Sequence, residues 1–245
     1  DYNQLTGTLP AEVFRLPALG ALSIVGSCLH GTLPSNICQS SALEALILYG
    51  WTTGRSCRPA SGGLSLRPRR EFGGSFPPCL LTMPRMNTLL LSSNDFTGRM
   101  SDTWGVGRKL LSLDLSHNLL SGSIPRSMQN HSWVQLDLSH NKIGGSMQIE
   151  FASFQNATFS ATANNLLAAV VPALRLSNNR LSGKIESPVM QMQNLSVLAG
   201  NLFYCNYAQT DLPAHDKDVD TYECASNSFD ISVYVWMAAL AIISV

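Results

Sequence analysis

Residues 110–125 read LLSLDLSHNLLSGSIP, and the two halves of this stretch follow different rules. In the first half Leu113 and Leu115 alternate with Ser112, Asp114 and Ser116, the period-two pattern of a short strand with one apolar face. In the second half, counted from Asn118, Leu120 stands at +2, Gly122 at +4, Ile124 at +6 and Pro125 at +7. An Asn amide both donates to and accepts from backbone groups where the chain turns. A Gly permits a tight backbone, and Ile-Pro begins the return.

Working outward, the same frame recurs. It appears from Asn3, then 24 residues later from Ser27 (Leu29, Gly31, Leu33, Pro34), and again from Asn94, Asn118 and Asn141. Asn165 (Leu167, Val171, Pro172), Asn179 (Leu181, Gly183, Ile185) and Asn201 follow. Leucines sit at −3 and −5 of Asn94, Asn118, Asn141 and Asn179, as Leu136 and Leu138 do before Asn141. A unit this short cannot bury its leucines alone, so stacking must do it.

The pattern resembles the leucine-rich repeat family, in particular its plant-type form LxxLxxLxLxxNxLxGxIPxxLxxL, over roughly residues 1–205. That resemblance implies an α/β fold, a right-handed solenoid of about eight coils of 23–24 residues. It also implies a parallel concave sheet, little regular helix and a C-terminal disulfide cap. The asparagines Asn3, Asn94, Asn118, Asn141, Asn165, Asn179 and Asn201 are expected to form an internal ladder. Two irregularities break the frame: an insertion at about 52–70 rich in Arg, and a gap of only 14 residues between Asn165 and Asn179.

Cysteine positions follow from the frame. Cys28 lies beside the root of the insertion that carries Cys57, and Cys38 and Cys79 fall at similar places on successive coils. The expected pairs are Cys28–Cys57 and Cys38–Cys79. Cys205 and Cys224 (GNLFYC…YEC) look like the bonded C-terminal cap of extracellular leucine-rich repeats. Six cysteines and the sequons at Asn130, Asn156 and Asn194 favour an oxidising, extracellular setting.

Composition narrows function. Lys plus Arg and Asp plus Glu are 16 each, and charged residues make up 13%, which excludes binding to nucleic acid by phosphate neutralisation. No nucleophile elbow, zinc-protease helix or P-loop occurs, and Gly105-Val-Gly107 lacks the third glycine of a dinucleotide motif, Leu110 standing there. No catalytic residue, metal or cofactor is expected. The duplicated LDLSHN places Asp114 beside Asp137 and His117 beside His140. This is read as a repeat feature on the solvent side rather than a metal site. The two charged runs, the Arg cluster and the acids Asp211, Asp216, Asp218, Asp220 and Glu223, read as solvated loops.

The concave positions −6, −4 and −2 run from Ala45, Ile47 and Tyr49 through Asp114 and Asp137 to Arg175, apolar at one edge and acidic in the middle. Tyr49, Asp114, Asp137 and Arg175 are the expected ligand contacts. Residues 206–230 read as cap and acidic juxtamembrane segment. The apolar run 231–245 reads as the start of a cut membrane helix, with Tyr234 and Trp236 as interfacial aromatics. With no cap before Asp1, a fragment at both ends is expected. The reading is a non-catalytic plasma-membrane or cell-surface module, its solenoid extracellular, that binds a protein, peptide or glycan ligand. Its rivals are a receptor-kinase ectodomain and a secreted or wall-associated inhibitor of glycan-degrading enzymes.

Overall fold

The computed structural model describes residues 5–50, 72–147, 173–206 and 208–225. Two seven-stranded parallel sheets run the length of this body. The first is made of the L-x-L segments: Ala21–Val25, Ala45–Tyr49, Thr88–Leu90, Ser112–Asp114, Gln135–Asp137, Ala173–Arg175 and Leu195–Ser196. The second is made of the segments after each Asn position: Gly31–Thr32, Phe72–Ser75, Asp95–Met100, Leu119–Ser123, Lys142–Ser146, Arg180–Gly183 and Leu202–Phe203. Single helical turns such as Arg126–Gln129 and Pro78–Thr82 close the convex side. The sequence therefore builds strands where side chains alternate and a turn where Pro sets the entry, and each coil makes one rung of each sheet.

A column of leucines runs through the interior. Leu46, Leu89, Leu113, Leu136 and Leu174 are fully buried, and they stand in register with one another across the first sheet. Phe72, Phe96, Phe76 and Trp104 pack together where the insertion leaves the frame, the last two stacked at 5.3 Å.

The asparagine ladder is present at every frame Asn among the described residues. Asn118 Nδ2 donates to the carbonyls of Leu91, Leu115 and Ser116, and its Oδ1 accepts from the Phe96 N–H of the previous coil. Asn94, Asn141, Asn179 and Asn201 use their amides the same way. Asn3 lies outside the described residues. Among the described residues Gln135–Asp137 pairs directly with Ala173–Arg175, and Ile143 N–H donates straight to Asn179 Oδ1, so the Asn179 rung follows that of Asn141. Asn165 itself lies outside the described residues.

Cys38–Cys79 and Cys205–Cys224 are bonded as expected, with Cα atoms 5.9 and 5.8 Å apart. Cys28 is also disulfide-bonded, while its expected partner Cys57 lies outside the described residues.

The reading of the late acids as a solvated loop is corrected at Asp216. Its side chain is 2% exposed, and Oδ2 accepts the N–H groups of Val197 and Leu198 at 2.6 and 3.1 Å. A carboxylate stands where the next strand would otherwise have satisfied those donors. Tyr222 does the same for the second sheet, its hydroxyl accepting the Phe203 N–H at 2.7 Å. Removing that hydroxyl in Tyr222→Phe leaves a buried donor unpaired, and a loss of about 2 kcal/mol in urea unfolding is expected. An unchanged midpoint would show that the cap does not depend on this contact.

Among the described residues no helix is long and apolar enough to cross a membrane, and residues 231–245 are not among them.

Candidate functional site on the concave sheet

Register sets the floor of the first sheet. Ile47, Leu90, Asp114, Asp137 and Arg175 stand opposite one another on five consecutive strands and form one continuous row. Ile47, Leu90 and Arg175 are half-buried. Tyr49, also half-buried, lies two residues further along its strand, off the row. The row is therefore apolar at one end and charged at the other. Three of the four expected contacts lie on consecutive strands, with the Leu90 strand separating Tyr49 from Asp114.

The two aspartates differ from the sequence expectation. Both are only 8% exposed. Asp114 Oδ1 accepts from the Ser116 N–H and hydroxyl, and Asp137 Oδ1 accepts likewise from Ser139. The serines at −2, Ser92, Ser116, Ser139 and Ser177, are buried too, so this column does not face solvent as the alternation predicts. The physical reason is the turn that follows. At position −1 the chain takes a positive φ, at Ser93 (57°), His117 (51°), His140 (54°) and Asn178 (55°), and this folds the −2 residue inward. The recurring Ser before His or Asn was the available signal.

Burial, above all, and the neighbouring Asp137 raise the Asp114 carboxyl above the usual carboxylate range, against the Ser116 hydrogen bonds that lower it. The Tyr49 hydroxyl is raised by burial and then by the negative charges of Asp114 and Asp137. Arg175 offsets part of that charge, its guanidinium 3.9 Å from Asp137 Oδ2.

Beside the row, the imidazoles of His117 and His140 are exposed and stacked, with centroids 3.9 Å apart and planes 11° from parallel. Asn178 Nδ2 stands 3.1 Å from His140 Nε2. Among the described residues no group of three or more His, Cys, Asp or Glu is arranged to hold a metal ion. The floor and its rim offer apolar contact, charge and hydrogen bonds on a fixed backbone.

One strand per coil in each of two parallel sheets, a buried asparagine ladder and a bonded cap define a leucine-rich repeat solenoid. The comparisons agree. A family model described as Leucine Rich Repeat matches residues 109–131. Receptor-like protein 43 of Arabidopsis thaliana is 28% identical over 123 residues, 50% of this chain and 14% of that protein. Receptor-like protein 32 of the same plant is 47% identical over 51 residues, 21% of this chain and 6% of that protein. The crystal structure of a plant ice-binding protein matches with a TM-score of 0.57 at 22% identity, covering 91% of this chain and 70% of that one. The chain has the fold of a leucine-rich repeat solenoid, and its matches span a small fraction of the length of its curated relatives.

Proposed function

We propose that this chain is the ligand-recognition part of a receptor-like cell-surface protein and that it binds a protein, peptide or glycan ligand on the concave sheet without catalysing a reaction. The observation that carries the reading is the in-register row from Ile47 and Leu90 to Arg175. It presents half-exposed apolar and charged side chains on a backbone whose own hydrogen bonds are already made. Extended partners suit such a face, because the solenoid repeats contacts without bending to meet them. The likeness to receptor-like proteins supports the cell-surface setting. On this reading residues 231–245 begin a membrane helix, the solenoid is extracellular, and Asn130, exposed at the end of a convex turn, carries a glycan.

The ice-binding property of the structural neighbour is not carried over. The exposed residues five places after the ladder position run Thr32, Ser75, Arg99, Ser123, Ser146 and Lys184, so charged side chains interrupt the hydroxyl row.

The test is panning of a displayed random-peptide library on the solenoid, followed by binding to a Tyr49→Ala, Leu90→Lys variant. Both residues are half-exposed, so the variant is expected to fold. Enriched peptides should lose roughly tenfold or more in affinity, the effect of removing an aromatic and an apolar anchor. Peptides that bind both forms equally, or no enrichment, would overturn the reading.

A further inference from the structure

A second row lies on a different face. The strands Leu119–Ser123, Lys142–Ser146, Arg180–Gly183 and Leu202–Phe203 are consecutive in the second sheet. Their first residues, Leu119, Lys142, Arg180 and Leu202, occupy equivalent positions one place after the ladder asparagines, and all four are exposed. The sheet is staggered, Lys142 standing opposite Ser121, Arg180 opposite Gly144 and Leu202 opposite Ser182, so the row runs obliquely across the strands, stepping two residues along at each one. Two cations are thus flanked by two leucines, which are 40% and 57% exposed. Among the described residues the ion pairs are Arg85 with Glu44 and Arg175 with Asp137, so neither Lys142 nor Arg180 is matched by an acid. In a chain with 13% charged residues, unpaired cations held between exposed leucines are unusual surface.

The stacked His117 and His140 border this row, two residues before Leu119 and Lys142 respectively, across the ladder asparagines. The groups facing His140 are His117 from the neighbouring coil, Asp137 from the first sheet, Asn178 from the next coil and Lys217 from the cap. Burial, then His117 and Lys217, hold the His140 imidazole below its usual range, while Asp137 opposes them. The His140 imidazole therefore gains its positive charge only on acidification below the usual histidine range.

We propose that Leu119, Lys142, Arg180 and Leu202, with His117 and His140 beside them, form a docking surface for an acidic peptide segment of a partner protein, two carboxylates flanked by apolar side chains. Charge complementarity selects the acid, and the two leucines select a peptide over a polyuronate chain, which has no apolar side chains to place there. An anion favours protonated imidazole, so binding tightens as pH falls, provided the ligand carboxylates stay ionised above about pH 4.3. The surface is separate from the concave floor, and either assignment can fail alone.

The probe is a fluorescent synthetic peptide with the core Leu-Glu-Glu-Leu, compared with its Gln-Gln counterpart and with an oligogalacturonate, by anisotropy on the full chain at low salt. The Glu peptide is expected to bind roughly tenfold tighter than the Gln peptide, the scale of two exposed ion pairs. A Lys142→Ala, Arg180→Ala variant, altered only at exposed side chains, should lose that margin. Binding should tighten as pH falls below the usual histidine value of about 6.5, and His140→Asn, which keeps a residue suited to positive φ, should flatten that trend. Equal binding of Glu and Gln peptides, no binding of either, an unaffected Lys/Arg variant, or a preference for the oligogalacturonate would each overturn the proposal. A pH trend that survives in the His variant would overturn the role of the imidazoles.

Discussion

Gly122→Ala is expected to destabilise the solenoid by about 4 kcal/mol, a large share of the roughly 5–15 kcal/mol that holds an ordinary domain folded. Two costs combine. Gly122 has φ +88°, outside the region an L side chain adopts easily. An added Cβ would also lie 2.2 Å from the Met100 carbonyl oxygen and 2.9 Å from the Met100 nitrogen, both backbone of the preceding coil. A rigid neighbour on both sides cannot withdraw, so the rung must separate or the turn must unwind. Gly7 supplies the control. Its φ is +103°, yet nothing lies within 4 Å of a Cβ built there. Gly7→Ala should therefore cost only the backbone strain, about 1–2 kcal/mol. Urea unfolding of both variants tests this, and equal losses would mean that coil-to-coil approach at Gly122 contributes nothing.

These glycines also explain why so much of the fold was legible in the sequence. A solenoid repeats one local solution, so the Leu at −5 and −3, the Asn and the Gly each signal a fixed backbone state without any long-range guess. The leucine column, the ladder at Asn94, Asn118, Asn141, Asn179 and Asn201, and the pair Cys38–Cys79 follow from that frame, while Cys205–Cys224 follows from the resemblance of GNLFYC…YEC to a bonded cap. What escaped it was non-repetitive or depended on the turn. Asp216 serves as a false strand, and nothing in its neighbourhood repeats to reveal this. The buried serines at −2 were misplaced because alternation assumes an extended chain, whereas the positive φ at −1 ends that assumption one residue early. Asn165 lies outside the described residues, and the Gln135–Asp137 strand pairs directly with Ala173–Arg175.

The ladder gives the second large effect. Asn118 is 5% exposed, and its amide serves three carbonyls while its oxygen serves one N–H. Asn118→Ala leaves those groups without their partner inside the solenoid, and a loss of about 3 kcal/mol is expected. Asn118→Asp is the sharper experiment, because it keeps the shape and the acceptor for Phe96 N–H but replaces Nδ2 with an oxygen facing the carbonyls of Leu91, Leu115 and Ser116. Ionised, that oxygen repels three acceptors; protonated, it can donate to one of them. The folded protein therefore holds the new carboxyl protonated to higher pH than the unfolded chain does, whose carboxyl titrates near pH 3.9, to within about a unit. By linkage the variant keeps the contribution of the protonated acid below that pH and loses it as pH rises through the folded value. Against the wild type, the urea midpoint of Asn118→Asp should fall progressively between about pH 4 and pH 7 and end below that of Asn118→Ala, whose deficit should stay constant over the same range. A parallel deficit for both variants would place solvent rather than the three carbonyls around Nδ2, and the ladder would then be an external feature of the solenoid instead of its spine.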